Sequence, residues 1–216
     1  MADRAGRPKD AYYVFKGYWT KKPKFCYIES HTWTERIGPP DKKRNMCVYS
    51  NCSRVELLLN GQSLGVKERN ISLFPAANLN WDVLFEEGEN VLVAKGFEGD
   101  RFVTSDTLSL NYYFKKYEKP HHFQLTYRRL PNGHYLIEAV LVDKTGRRVL
   151  DYNKRIYFSL DGEGHLLKDY GTPTRSEIIE MANGYAAIEM VAVPGEKAVI
   201  EVRNQDFKGD YLILGK

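Results

Sequence analysis

The sequence predicts an all-β protein made of two β-sandwiches in tandem, with one short helix ahead of them. Short runs in which apolar and polar residues alternate recur along the whole chain, as expected of strands with one buried face. Turn signals rich in Gly, Pro and Asn separate these runs. The 15 Tyr, 10 Phe and 3 Trp residues favour strands over helices. With 216 residues, the chain can form two domains of about 100 residues each.

Residues 10–19 form the only segment that predicts a helix. Asp10 is placed to cap its N-terminus, and Tyr12, Phe15 and Trp19 recur at helical spacing. Because so short a helix is marginal by itself, this aromatic stripe needs a surface to pack on. If the chain is an excised fragment, we expect part of that surface to lie outside it.

The first sandwich is predicted to contain about seven short strands. The segment 31–40 reads as a loop that a Gly-Pro-Pro breaker closes. The predicted strands and hairpin arms cover 24–29, 45–50, 54–59, 62–65, 79–85, 91–96, 102–103 and 108–114. Short strands with regular turn signals between them are typical of an immunoglobulin-like sandwich.

A hairpin centred on Asn60-Gly61 is the strongest local signal in this half. Val55, Leu57 and Leu59 alternate along the first arm, so that one face of the arm can enter a core. Asn-Gly supplies the two positive-φ residues of a type I′ turn. Gly65 in the second arm predicts a further break or a bulge.

The segment 115–120 is charged and ends in Pro, which predicts a linker between two domains. Beyond it, the strand and turn pattern begins again. The predicted strands cover 123–127, 135–143, 156–160, 185–191, 198–203 and 211–214. The predicted turns between them cover 131–133, 144–146, 161–164 and 194–195.

The composition argues against several classes of partner. The net charge of +4 arises from 32 basic and 28 acidic residues spread along the chain, which is too balanced for a nucleic-acid partner. No run approaches the roughly 20 apolar residues of a membrane span. The three cysteines, Cys26, Cys47 and Cys52, lack a zinc-ligand spacing and are expected to be buried or edge thiols.

The sequence predicts no catalytic residues, no cofactor and no metal. The paired acids Glu86-Glu87 and Asp161/Glu163 lie in predicted turns, where solvated carboxylates are common. The His121-His122 pair follows the linker Pro and is expected to be an exposed element of the domain junction. Since adjacent residues of an extended strand point to opposite faces, its two rings are expected to diverge instead of sharing a metal ion. No phosphate-binding Gly-rich loop, nucleophile elbow or His-Glu-x-x-His helix occurs.

A contact surface is the remaining functional candidate. Trp33 lies in the predicted loop with His31, Glu35 and Arg36, where a polar and aromatic surface could bind carbohydrate or another domain. The residues favour neither alternative. Trp81 could also stack on a sugar, but its alternation with Leu79 and Val83 favours a core position.

Several motifs together resemble family 2 glycoside hydrolases, the β-galactosidase-like group. The segment DRAGRPKDAYYVFKGYW at 3–19 looks like the last helix of that family's catalytic barrel. Other similar motifs are HTW at 31–33, VYSN at 48–51, VELLLNG at 55–61, SLG at 63–65, FP at 74–75, Trp81, EGEN at 87–90, VDKTG at 142–146 and FSLDGEG at 158–164. The resemblance implies three parts: a barrel remnant at 1–20, an immunoglobulin-like sandwich at 21–115 and a second one at 116–216.

The resemblance places the chemistry outside this chain. In the family, the barrel carries a Glu acid/base and a Glu nucleophile, and no position here corresponds to either. A barrel needs about 250 residues of alternating strands and helices, which this chain lacks. The family implies retaining hydrolysis of β-galactosides or related β-glycosides by an exported parent protein, periplasmic or extracellular.

Three hypotheses follow. The first is a non-catalytic C-terminal region whose partner is the catalytic barrel of the same polypeptide. The second is an autonomous carbohydrate-binding module, and the third and weakest is an adhesin-like spacer.

Overall fold

A computed structural model of the chain describes residues 8–167 and 177–215. The chain divides into two compact units, one ending at Lys116 and the other beginning at Tyr117. This division falls within the segment 115–120 that the sequence predicts as a linker. The assignment of the units to particular domains of a longer protein stays a prediction. No helix within the described ranges is long and apolar enough to cross a membrane.

Over residues 8–116, the first unit contains one helix and eight strands. In chain order they are α1 Asp10–Trp19, β1 Cys26–Ile28, β2 Glu35–Ile37, β3 Arg44–Ser50, β4 Arg54–Leu59, β5 Gln62–Glu68, β6 Asn80–Val83, β7 Gly88–Glu98 and β8 Arg101–Tyr113. A three-stranded sheet has the order β1-β3-β6, and a five-stranded sheet has the order β2-β8-β7-β4-β5. Alternate residues of both sheets, among them Ile28, Val48, Leu57 and Leu92, form one buried core.

The predicted hairpin is confirmed as β4 and β5. Asn60 and Gly61 have φ values of 49° and 82°, as a type I′ turn requires. The bulge is also confirmed, because the ladder register shifts between Glu56 and Leu58 and Gly65 adopts a φ of 97°. The Asn60 side-chain oxygen accepts a hydrogen bond from the Val91 N–H at 2.8 Å, which fastens the turn to β7.

The helix spans the predicted residues, but its capping prediction is wrong. Lys9 is the N-cap residue and makes no side-chain cap. Asp10 is already helical, and its carboxylate instead accepts hydrogen bonds from the Ser30 N–H and the Tyr27 hydroxyl. Val14 and Gly17 form the buried side of the helix. A Cβ at Gly17 would stand 3.3 Å from the Ser50 carbonyl oxygen, so glycine permits the close approach to β3.

Most predicted strands of this unit are present, with two differences. Segment 31–40 is not wholly a loop, because β2 pairs in parallel with the end of β8, more than 70 residues along the chain. The two short pieces predicted at 102–103 and 108–114 belong to the single strand β8. Trp81 is in the core as predicted, with 3% of its surface exposed. Its indole N–H donates to the Gly65 carbonyl at 3.1 Å.

The described part of the second unit, residues 117–167 and 177–215, contains eight strands. They are β9 Pro120–Arg129, β10 Tyr135–Asp143, β11 Arg155–Gly162, β12 His165–Leu166, β13 Ile178–Glu180, β14 Tyr185–Val191, β15 Ala198–Arg203 and β16 Asp210–Leu214. Two four-stranded sheets have the orders β12-β14-β10-β9 and β13-β11-β15-β16. Phe123, Leu141, Phe158, Met190 and Ile200 lie in the core between them. The predicted all-β sandwich fold is thus confirmed.

Two expectations for this unit need correction. The predicted turn at 161–164 is partly strand, since β11 continues to Gly162. The rings of His121 and His122 do not diverge, because their Nδ1 atoms lie 2.9 Å apart. The physical reason is a bulge in β9: Val142 pairs with His122 and Asp143 with Pro120, so His121 is an extra residue that breaks the alternation. The short strands β12 and β13 were not predicted.

Candidate functional site

Trp33 is the exposed member of the four residues predicted as a contact surface. It lies in the turn between β1 and β2, where its N–H donates to the Ser30 carbonyl at 2.9 Å. Its side chain is 58% exposed. Glu35 and Arg36 follow on β2, and both are half-buried. The turn therefore presents one large aromatic ring to solvent.

His31 is held by Asp106, a residue that sequence reasoning did not select. Its Nε2 lies 2.7 Å from an Asp106 carboxylate oxygen, and the same oxygen accepts the Ile28 N–H at 2.7 Å. Asp106 lies on β8, 75 residues along the chain. Asp106 thus attaches both His31 and the end of β1 to β8. His31 therefore has a structural role at the start of the turn.

A stack of rings connects this turn to the helix. The Tyr13 and Tyr27 rings are parallel, with centroids 3.5 Å apart, and the His31 ring stacks on the other side at 4.7 Å from Tyr27. Burial raises the pKa of Tyr27, and the nearby Asp10 carboxylate raises it further. Tyr27 therefore stays a neutral donor to Asp10, with an oxygen-to-oxygen distance of 3.1 Å.

Arg36 points inward and has a structural role. Its Nε donates to the Trp33 carbonyl at 3.1 Å, and its Nη1 lies 3.0 Å from the Met46 sulfur. Burial lowers the pKa of Arg36, whereas the Glu29 carboxylate opposes this shift. Arg36 thus shapes the turn that carries Trp33 and is a poor candidate for direct ligand contact.

A second exposed surface lies on the helix. We define the helix face as Tyr12, Phe15 and Trp19. Tyr12 is 37% exposed and Trp19 is 75% exposed. The Phe15 and Trp19 rings are 4.9 Å apart. Adjacent to it, the Tyr18 hydroxyl donates to the Leu73 carbonyl at 2.8 Å, and its ring lies 5.7 Å from that of Phe74.

The segment 71–74 carries further exposed apolar side chains. They are Ile71 at 62%, Leu73 at 48% and Phe74 at 68%. The contacts of Tyr18 with Leu73 and Phe74 place this segment beside the helix. Clusters of large exposed apolar side chains mark interaction sites.

The carboxylates predicted to lie in turns either accept structural hydrogen bonds or are exposed to solvent. Glu86 accepts a hydrogen bond from the Asn60 side chain at 3.3 Å, and Glu87 accepts one from the Phe114 N–H at 2.6 Å. Asp161 and Glu163 are exposed. The three cysteines are free thiols, two of them buried. Over residues 8–167 and 177–215, no group of three or more His, Cys, Asp or Glu side chains could hold a metal ion.

Comparison with known proteins gives a consistent result. Residues 41–104 match a family described as a domain of unknown function, DUF4982. A Formosa agariphila protein named "Putative beta-glucuronidase" is 53% identical over 99% of this chain, which covers 26% of that protein. The β-galactosidase BoGH2A of Bacteroides ovatus is 28% identical over 82% of the chain and 20% of its own length.

Solved structures agree with these relatives. The crystal structure of Parabacteroides merdae β-glucuronidase matches all of this chain with a TM-score of 0.86 and 35% identity, over 28% of its own length. The chain therefore spans about a quarter of the length of the Formosa agariphila and Parabacteroides merdae proteins.

Proposed function

The chain belongs to the C-terminal region of family 2 glycoside hydrolases, and from this premise we propose that it is a non-catalytic part of such an enzyme. In this role it stabilises the catalytic domain of the same polypeptide by packing against it. The helix face carries the contact, together with the apolar segment 71–74.

The observation behind this proposal is an exposed aromatic stripe on a helix that is itself firmly held. Asp10, Tyr13, Val14 and Gly17 attach α1 to the sandwich. Trp19 on the other side is 75% exposed. Burying a large aromatic side chain is worth roughly 1.5–3 kcal/mol, so a partner that covers the stripe would gain substantial free energy. The predicted identity of α1 as the last helix of a barrel supports the catalytic domain as that partner.

We propose that the longer polypeptide hydrolyses β-glycosides, with β-glucuronides favoured over β-galactosides. The preference follows two relatives named as β-glucuronidases, which are 53% and 35% identical to this chain, whereas the β-galactosidase relative is 28% identical. This choice replaces the β-galactoside emphasis of the sequence-based expectation. The chain itself is proposed to contribute no reacting group.

The test compares the same substitutions in two contexts. Phe15→Ala and Trp19→Ala are made in the isolated chain and in a polypeptide that also carries the catalytic domain. In the longer polypeptide they should lower the thermal unfolding temperature by several degrees and reduce cleavage of 4-nitrophenyl β-glucuronide. In the isolated chain the Trp19 substitution should leave the unfolding temperature nearly unchanged, because that ring is already exposed.

Trp33→Ala serves as the matched control, since it removes an exposed tryptophan outside the helix face. If the helix-face substitutions lowered the unfolding temperature equally in the isolated chain and in the longer polypeptide, the proposal would be contradicted. Hydrolysis of the aryl glucuronide by the isolated chain would contradict it as well.

A second candidate function rests on the 58% exposure of Trp33. An indole held on a rigid turn suits stacking on a sugar ring. Glycan binding that Trp33→Ala abolishes and Trp19→Ala leaves intact would favour this function over the docking role.

A further inference from the structure

Two exposed tyrosines lie on the outer face of the sheet β13-β11-β15-β16 in the second unit. Tyr157 is 41% exposed and Tyr211 is 65% exposed. On β11, the neighbours Ile156 and Phe158 point into the core. Because side chains alternate along a strand, Tyr157 must point outward.

The strand register places both rings on one surface. Tyr157 pairs with Arg203, and Tyr211 pairs with Glu201 on the same strand, β15. Arg203 and Glu201 are two residues apart and so share a face. From ordinary strand spacing, the Cα atoms of the two tyrosines lie about 12 Å apart, diagonally across β15.

Polar groups fill the space between the tyrosines. The Ser159 hydroxyl donates to a Glu201 carboxylate oxygen at 3.2 Å, and the Arg203 Nε lies 3.9 Å from the same oxygen. The Arg203 and Glu201 side chains are 64% and 44% exposed. Both therefore keep donors and acceptors that face solvent.

A cleft adjoins the Tyr157 ring on this face. It has a volume of about 470 Å³, and its lining includes Tyr157, Ser159, Arg203, Asn204 and Gln205. A second cleft of about 480 Å³ shares Tyr157, Asn204 and Gln205 with the first. Amide, hydroxyl and guanidinium groups thus surround an exposed aromatic ring.

We propose that this face binds a neutral oligosaccharide, with Tyr157 and Tyr211 as stacking platforms for two of its sugar rings. A pyranose presents C–H groups on one side, which pack on an aromatic ring, and hydroxyls around its edge, which both donate and accept hydrogen bonds. Arg203 can donate to such hydroxyls, and Glu201 can accept from them. The spacing of the tyrosines suits a short chain of sugars and not a single ring.

The charges on the face favour a neutral ligand over an acidic one. Around the two clefts, four carboxylates face three cationic groups, a net charge of −1. The carboxylates are Glu177, Glu180, Glu201 and Asp206, and the cations are Lys154, Arg155 and Arg203. A uronate chain would meet net repulsion here.

Calorimetric titration of the 216-residue chain tests the proposal. The neutral ligands are cellohexaose, xylohexaose and β-1,4-linked galactohexaose, and hyaluronan hexasaccharide is the acidic comparison. At least one neutral hexaose should bind saturably, and more tightly than hyaluronan. Tyr157→Ala, Tyr211→Ala and Arg203→Ala should each weaken that binding about tenfold.

Tyr127→Ala is the matched control, because Tyr127 is 52% exposed on the other sheet of the same unit. It should bind as the unsubstituted chain does, and all variants should keep their circular dichroism spectrum. Three results would overturn the proposal: no neutral hexaose binds, the tyrosine variants bind unchanged, or hyaluronan binds more tightly. Self-association that Tyr211→Ala abolishes, measured by sedimentation velocity, would assign the face to a second copy instead.

The choice of β-linked probes rests on the proposed function. The titration needs no catalytic domain, so its failure would leave the docking role of the helix face intact. Conversely, failure of the docking experiment would not alter a measured binding constant for the hexaose.

Discussion

Asp143 illustrates how a single carboxylate can organise a turn. It ends β10 and has no exposed surface. One of its oxygens accepts hydrogen bonds from Thr145 and the Arg147 N–H, and the other accepts the Glu118 N–H at 2.8 Å. Burial raises the pKa of Asp143, but the hydrogen bonds from Thr145, Glu118 and Arg147 outweigh it and lower the pKa to about 2.

This pKa predicts a defined loss of stability in acid. An unfolded Asp has a pKa of about 3.9, so the folded state binds the proton less readily than the unfolded state does. The stabilisation is complete above about pH 4 and is lost as the pH falls towards 2. Asp143→Asn should destabilise the second unit by about 2 kcal/mol at neutral pH, because the Glu118 N–H loses its acceptor.

Chemical denaturation between pH 7 and pH 2 measures the free energy of unfolding of the unsubstituted chain and of Asp143→Asn. The gap between these two free energies should narrow as the pH falls below 4. Asp161→Asn, which alters an exposed carboxylate of the same unit, should show no such gap. A gap for Asp143→Asn that is independent of pH would refute the role of the charge.

The individual residues of the candidate site could be predicted from the sequence only in part. Trp33 is exposed, in keeping with a loop sequence that lacks any alternation that would bury it, and its role in a contact surface stays a prediction. Asp106 and Asp10 could not be found in the same way, because each reaches the turn through the tertiary fold. Arg36 reads as a surface charge in sequence, and only its contact with Met46 shows that it points inward.

At the scale of the strands, Gly96 of β7 packs directly against the thiols of Cys26 and Cys52. A Cβ at Gly96 would stand 2.6 Å from the Cys52 sulfur and 2.8 Å from the Cys26 sulfur. The Cys52 thiol and burial raise the pKa of Cys26, so that thiol stays protonated. Glycine is needed here for space and not for an unusual backbone conformation.

Gly96→Ala should therefore destabilise the first unit by about 2 kcal/mol through overpacking. Adding Cys52→Ala should relieve part of this effect, because the nearer sulfur is then removed. A double-mutant cycle from urea denaturation measures the coupling between the two positions. If the effects of the two substitutions on the free energy of unfolding were additive, the Cys52 sulfur would not be the cause of the destabilisation by Gly96→Ala.

Local signals explain which elements could be predicted. The β4–β5 hairpin was recognisable because Asn60-Gly61 determines the turn within two residues. Strand β2 was missed because its partner in the ladder, β8, begins more than 60 residues later. Strands β12 and β13 span two and three residues, which is too short for alternation to be visible.

In the described part of the chain, each unit has a large apolar core of similar construction, and a smaller buried cluster of Val14, Phe25, Tyr49 and Ala76 includes a helix residue of the first unit. Leu57 in the first and Leu141 in the second are both completely buried. Each core lies between the sheets of its own unit. The units are therefore expected to respond individually to core substitutions.

Leu57→Ala and Leu141→Ala form a matched pair for this expectation. Each should destabilise its own unit by about 3 kcal/mol. Hydrogen exchange measured by mass spectrometry should show faster exchange mainly in peptides before residue 116 for the first variant and after residue 117 for the second. Equal acceleration in both halves by either variant would mean that the two units unfold together.

The hairpin strand β5 lies at the edge of the five-stranded sheet, where free backbone groups could recruit a strand from another molecule. The bulge at Gly65 interrupts that edge. The Gly65 carbonyl already accepts a hydrogen bond from the Trp81 indole N–H, so it is less available to another strand. Lys67 and Glu68 add charges beside it. The same irregularity that completes the core thus protects the protein against edge-to-edge aggregation.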